Sequence, residues 1–115
     1  MPYTSKEKIR EAGRRHDNLP HRVFRDYVKS AEKRKHHFFL TLEEFSKLLT
    51  EPCFYCGAIP NPRNGVDRVD NSVGYELWNC VTACRTCNYM KQDSTLKDFV
   101  EKCTAISKKH KGMEP

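Results

Sequence analysis

Two Cys-x-x-Cys pairs, Cys53/Cys56 and Cys84/Cys87, constrain this chain more than any other feature in it. Each pair lets two thiolates reach one ion, and four thiolates form a closed tetrahedral set suited to structural zinc. Residues 57–83 separate the pairs. That is longer than a usual zinc knuckle, so the metal must staple a folded unit rather than close a short loop. The chain has 115 residues, 37% of them hydrophobic, and a mean hydropathy of -0.81. A chain of that length and polarity makes one small domain with a thin core, and such domains lean on a metal or on disulfides. The start, MPYTSKEKIR, is polar and lacks the apolar segment of a secretion signal. No run approaches the roughly 18 apolar residues of a membrane span. The expectation is an intracellular protein, cytoplasmic or nuclear according to host, with no membrane partner. There thiols stay reduced and bind metal rather than pair.

The net charge of +6 is unevenly spread. Residues 1–50 hold 12 Lys/Arg against 7 Asp/Glu, residues 51–100 hold 5 against 6, and residues 101–115 hold 4 against 2. Basic flanks around a nearly neutral middle suit an anionic polymer gripped from both sides, and DNA is the expected partner.

Element signals follow in order. Thr4 or Ser5 is placed to cap a helix reaching about Arg15, polar nearly all round. Asn18-Leu19-Pro20 reads as a breaker. Phe24, Tyr27, Val28 and Ala31 fall at i, i+3, i+4 and i+7 and predict a helix over about 21–35. Its other faces carry Arg22, Arg25, Lys29, Lys33 and Arg34, the candidate phosphate contacts. Phe38-Phe39-Leu40 reads as an extended link, and Thr41-x-x-Glu44 as a capping box opening a helix over 42–49. Strands are predicted at Val66–Val69 and Asn79–Thr82, joined by the turn-forming Asp70-Asn71-Ser72-Val73-Gly74. A short helix over 85–91 follows, then a last one opened by Thr95-x-x-Asp98 with an apolar stripe of Leu96, Phe99, Val100, Cys103 and Ile106. Cys80 is expected buried in the second strand, Cys103 in the core, and Tyr75 and Trp78 as packing residues. The fold class is α+β. A basic helical region spans 1–50, a zinc-stapled core 51–94, and a C-terminal helix packing on that core 95–115.

From Cys53 to Lys91 the chain reads Cys-x-x-Cys, Val-Asp-Arg-Val-Asp-Asn, Gly-Tyr, Asn, then Cys-x-x-Cys-Asn-x-x-Lys. That order resembles the HNH endonuclease family, whose core is the ββα-metal fold. The resemblance implies a DNA endonuclease or nickase that hydrolyses phosphodiesters with magnesium or manganese, leaving a 5′-phosphate and a 3′-hydroxyl. It implies that Asp67 and Asn88 hold that dication and that Asn79 orients the general base. Lys91, one turn beyond Asn88, would face the same phosphate. An oxygen ligand set of this kind leaves places for water and phosphate, as magnesium prefers.

Where the family carries its basic histidine this chain has Arg68. A guanidinium does not give up its proton at neutral pH, so Arg68 is expected to clamp the phosphate instead. Some rare-cutting restriction enzymes of the family have the same Asp-Arg pair and use a tyrosine near the metal. The base candidates here are His36 and His37, favoured for their pKa, then Tyr55, with Tyr75, Tyr89 and Asp70 behind. The alternatives are a zinc-stapled DNA-binding module without catalysis and a purely structural zinc protein. One metal site per chain means one strand cut per copy, so a double-strand break would need a homodimer or two nicks. The family is frequent in phages, large DNA viruses and mobile elements, which suggests such a setting.

Overall fold

The computed structural model describes residues 20–112. The helix expected over residues 4–15 lies outside them. Helix α1 runs Pro20–Lys33. Pro20 opens the helix it was expected only to precede, because its missing N–H falls where the first turn has no partner to give it. At the other end Lys35 is left-handed (φ 62°). The His36 N–H donates to the Ala31 carbonyl at 2.8 Å and the Lys35 N–H to the Glu32 carbonyl at 3.0 Å. That pattern closes the helix and sends the chain off extended.

The extended link then joins the fold as a strand-like edge. Phe38 bridges Tyr75 in parallel, with the Tyr75 N–H donating to His37 O and the Phe39 N–H to Tyr75 O, both at 2.8 Å. Gly74 is required there, since a Cβ would lie 2.6 Å from the His37 carbonyl. Helix α2, Leu42–Leu49, begins at the expected capping box: the Glu44 N–H donates to Thr41 Oγ1 at 3.1 Å and Glu44 Oε1 accepts from the Thr41 N–H at 2.9 Å.

Strands β1 (Gly65–Arg68) and β2 (Cys80–Ala83) pair antiparallel with Gly65 opposite Ala83, Val66 opposite Thr82, Asp67 opposite Val81 and Arg68 opposite Cys80. Each strand sits one residue from its expected place, and Asn79 belongs to a 3-10 turn, Leu77–Asn79, rather than to β2. Helix α3 (Arg85–Lys91) follows directly, then α4 (Leu96–Lys109), capped by Thr95, whose hydroxyl accepts from the Asp98 N–H at 3.0 Å.

The core lies where α1 and α2 cover the hairpin: Val23, Leu40, Phe45, Leu49, Val66 and Cys80, with Phe24, Tyr27, Phe38, Leu48 and Tyr75 packed against it. Phe45 is its centre, meeting Phe24 edge-on at 5.5 Å and Tyr27 at 4.9 Å. The Tyr27 hydroxyl accepts from the Val66 N–H at 3.1 Å, which ties α1 to β1. Cys80 is buried as expected, and burial pushes its thiol up to about 12.

Two packing expectations fail. Trp78 is 70% exposed: in the 3-10 turn that carries it, Asn79 rather than the indole is the residue turned inward. On α4 only Phe99 is buried, set edge-on to Tyr55 at 5.6 Å, while Val100 and Ile106 are half exposed and Cys103 is partly covered. The first half of that helix leans on the cysteine knuckle, and its second half is mostly exposed.

Candidate metal centre and cleft

The four cysteine sulfurs lie within 4.8 Å of one another. Cys53 and Cys56 sit in a knuckle closed by the Gly57 N–H donating to Cys53 O at 2.8 Å, with Gly57 in the left-handed region (φ 80°). Cys84 is the N-cap of α3, its sulfur accepting from the Cys87 N–H at 3.4 Å. The Sγ atoms of Cys56 and Cys84 are 3.7 Å apart. A disulfide would need about 2.05 Å, whereas a tetrahedron with arms of about 2.3 Å has edges near 3.8 Å. The spacing therefore fits four thiolates around one zinc. Burial works against charge on Cys53, yet backbone donors at Cys84, Cys56 and Tyr55 outweigh it and draw the thiol down to about 7. Burial and the neighbouring sulfurs push the Cys87 thiol the other way.

On the other side of β1 lies a cleft of about 970 Å³. Asp67 and Asn88 both line it, the first from β1 and the second from α3. Around them stand Arg34, Arg63, Arg68 and Arg85. A zinc held by the four cysteines would fix this arrangement, because Cys87 and Asn88 are neighbours on one helix and Cys84 directly follows β2. Asp67 is 7% exposed. Its Oδ2 accepts from the Tyr55 hydroxyl at 2.5 Å and faces the Lys91 ammonium at 3.1 Å.

The sequence-derived candidates divide. Asp67, Asn88 and Arg68 come together in the cleft, while Tyr55 lies on the cysteine side and touches the site only through its hydrogen bond to Asp67. His36 and His37 do not line it. His37 stacks on Phe39 at 4.5 Å and its Nε2 lies 3.0 Å from Glu76. His36 is held below its ordinary pKa by burial, Arg68 and Arg34. Asn79 is 1% exposed and its amide is committed to the 70–74 loop. Oδ1 accepts from the Asp70 N–H at 2.8 Å, and Nδ2 donates to the carbonyls of Asp70, Gly74 and Val73 at 3.0, 3.1 and 3.3 Å. It braces a loop rather than orienting a base.

Arg68 shares that bracing. Its Nη1 donates to Asn71 O and Val73 O, both at 2.8 Å, and the guanidinium lies over the Tyr75 ring at 5.5 Å. Lys91 has no exposed surface at all, so it cannot meet a phosphate from where it sits. Of the basic set expected on this helix, Arg34, directly after the end of α1, lines the cleft, together with Ser30 and Asp26 one and two turns before it. Arg25, Lys29 and Lys33 are exposed on other faces, and Arg22 is partly buried.

Sequence reasoning missed Arg63 and Arg85 as cleft residues, whereas Tyr75 and Tyr89, both named as base candidates, do line the cleft. Arg85 had a signal, since a residue directly after the helix-capping Cys84 must sit beside Asn88 one turn on. Arg63 had none. Among the described residues no helix is long and apolar enough to cross a bilayer.

No family model matches the chain. Over 94 residues it is 38% identical to an uncharacterized protein of Acanthamoeba polyphaga mimivirus, an alignment covering 81% of this chain and 18% of that protein. The chain thus spans under a fifth of its viral relative. The structure is similar to that of the rare-cutting HNH restriction endonuclease PacI, with a TM-score of 0.61 and 23% identity, covering 82% of this chain and 80% of that one. That likeness, joined to the four-cysteine cluster, shows the fold: a small α+β, zinc-stapled HNH-like ββα-metal unit.

Proposed function

We propose that this chain is a metal-dependent DNA endonuclease that nicks one strand per copy by phosphodiester hydrolysis. The observation that carries the reading is the convergence of Asp67 and Asn88 on one cleft ringed by four arginines, on this fold. The two residues fit a hard dication: one carboxylate oxygen and one amide oxygen, with room beside them for water and phosphate. Magnesium or manganese held there would stabilise charge on the scissile phosphate and the leaving 3′-oxygen.

The protein's own groups do the rest. Arg34, Arg63 and Arg85 neutralise the backbone entering the cleft. Arg68, rigidly braced, presents its remaining N–H groups to the phosphate without having to be ordered first. The base is assigned to Tyr89, which lines the cleft and is exposed, in place of His36 and His37; burial and the Asp67 carboxylate push the Tyr55 hydroxyl up and hold its proton, and burial does the same at Tyr75. A double-strand break needs two copies of this site or two successive nicks.

The test is nicking of supercoiled plasmid by zinc-loaded protein in magnesium or manganese, beside EDTA, Asp67→Asn and Asn88→Ala. Asp67→Asn is preferred to Asp67→Ala because it still offers an oxygen to Lys91. Metal-dependent nicking that falls by about 10²-fold or more in both variants supports the reading. Full activity in Asp67→Asn would sink the assigned site. Salt-sensitive DNA binding with no cleavage in either metal would make the chain the binding module instead.

A further inference from the structure

Lys91 ends α3 with no exposed surface, a rare place for an ammonium. Its Nζ lies 3.1 Å from Asp67 Oδ2 and donates to the Arg68 carbonyl at 3.3 Å. The Tyr55 hydroxyl donates to that same Oδ2 at 2.5 Å. Two donors from two different elements, one after the first zinc ligand and one after the last, therefore fall on one oxygen of the carboxylate and leave Oδ1 for another partner.

We infer that Lys91, helped by Tyr55, is a positioning residue that makes Asp67 a one-oxygen ligand and thereby sets which dication the cleft prefers, magnesium or manganese over calcium. The inference rests on the metal-binding role proposed for Asp67. A carboxylate free to turn can grip a large ion with both oxygens. Calcium takes six to eight oxygens at about 2.3–2.6 Å, often two from one carboxylate, whereas magnesium requires a near-octahedral set of single oxygens at about 2.0–2.1 Å. Turning Asp67 to offer both oxygens would pull Oδ2 off a buried ammonium and leave that charge unpaired, which a desolvated site resists strongly. Asn88 can supply only one oxygen as well. An exposed lysine would impose no such constraint, because water would screen it and replace the lost contact.

The test reads metal preference without any cleavage. Manganese bound to the zinc-loaded full chain is followed by electron paramagnetic resonance and displaced in turn by magnesium and by calcium. Loss of the ammonium's charge in Lys91→Met acts on all dications alike, so the ratio of the two displacement constants isolates orientation. Groups that orient a metal's ligands typically alter its affinity by about 10–100-fold, and the ratio is expected to move toward calcium by about tenfold in Lys91→Met. Tyr55→Phe, which changes no charge, is expected to move it the same way by about threefold. Should Lys91→Met fail to fold, as judged by zinc content and circular dichroism, Tyr55→Phe decides alone. A ratio unchanged within about twofold in the folded variants overturns the inference while leaving the metal site intact. Absence of manganese binding in the unsubstituted protein overturns the site itself, and the inference with it.

Discussion

Around Phe45 the chain is held by packing, whereas around the four cysteines there is little apolar material to hold it. At the first end, rings from α1, the extended link and α2 meet edge-on over the hairpin, and Phe45 and Leu49 are all but sealed from water. At the second end Phe54 and Met90 are more than half exposed and only Phe99 of α4 is buried. A zinc held by the four cysteines would take the place of a core there. The cleft lies between the two, with Asp67 on the strand that the packed end covers and Asn88 on the helix that the metal anchors. The division shows how a chain of this size can keep one wall of a site rigid by shape and the other by coordination.

The largest effect should come from breaking the metal end. Structural zinc in small finger peptides is worth about 10–16 kcal/mol at neutral pH. Chelation, or Cys53→Ser, is expected to abolish amide protection across α3 and α4 before it reaches α1 and α2, as read by hydrogen exchange. Simultaneous loss at both ends would mean that the two are one cooperative unit and the division is false.

Next comes the packed end. Phe45→Ala is expected to cost about 3–5 kcal/mol in urea unfolding, with the folded fraction retaining one zinc per chain. Asp67→Ala should cost a similar amount, about 3–5 kcal/mol, since it strands Lys91 without a counter-ion. Asp67→Asn should cost clearly less, and equal costs would show that the ion pair is not what holds the seam between the ends. Smaller still, Thr41→Ala removes the cap of α2 and should cost about 1 kcal/mol. Smallest is Ile106→Lys on the outer half of α4, expected to stay within about 0.5 kcal/mol by thermal melting. A larger loss would mean that this half of the helix is covered in solution.

Much of this was legible from residue order. The zinc ligands, the capping box at Thr41 and Glu44, the hairpin and the two helices after it follow from spacing and turn chemistry. What was not legible depends on contacts between distant residues. Lys91 ends an exposed-looking helix, and nothing local says that its side chain turns inward to Asp67, 24 positions earlier. Asn79 carries the residue type of an active-site amide, and only the folded loop reveals four backbone partners for it. The α4 stripe has helical period, but period reports which face is apolar, not whether anything covers it. Trp78 misled for the reverse reason: a large ring predicts burial only when the backbone beneath it faces inward.

The separation of the two zinc pairs also bears on the order of events during synthesis. Both packing helices leave the ribosome before the hairpin they cover, and Cys53/Cys56 emerge well before Cys84/Cys87. The nascent chain can weakly hold a metal with its first pair, but it cannot close the tetrahedron, or bring Asn88 up to Asp67, until α3 is out. Domains form as units once their sequence has emerged, so the joining of the two cleft walls is withheld from a partly made chain by the position of Cys84 and Cys87.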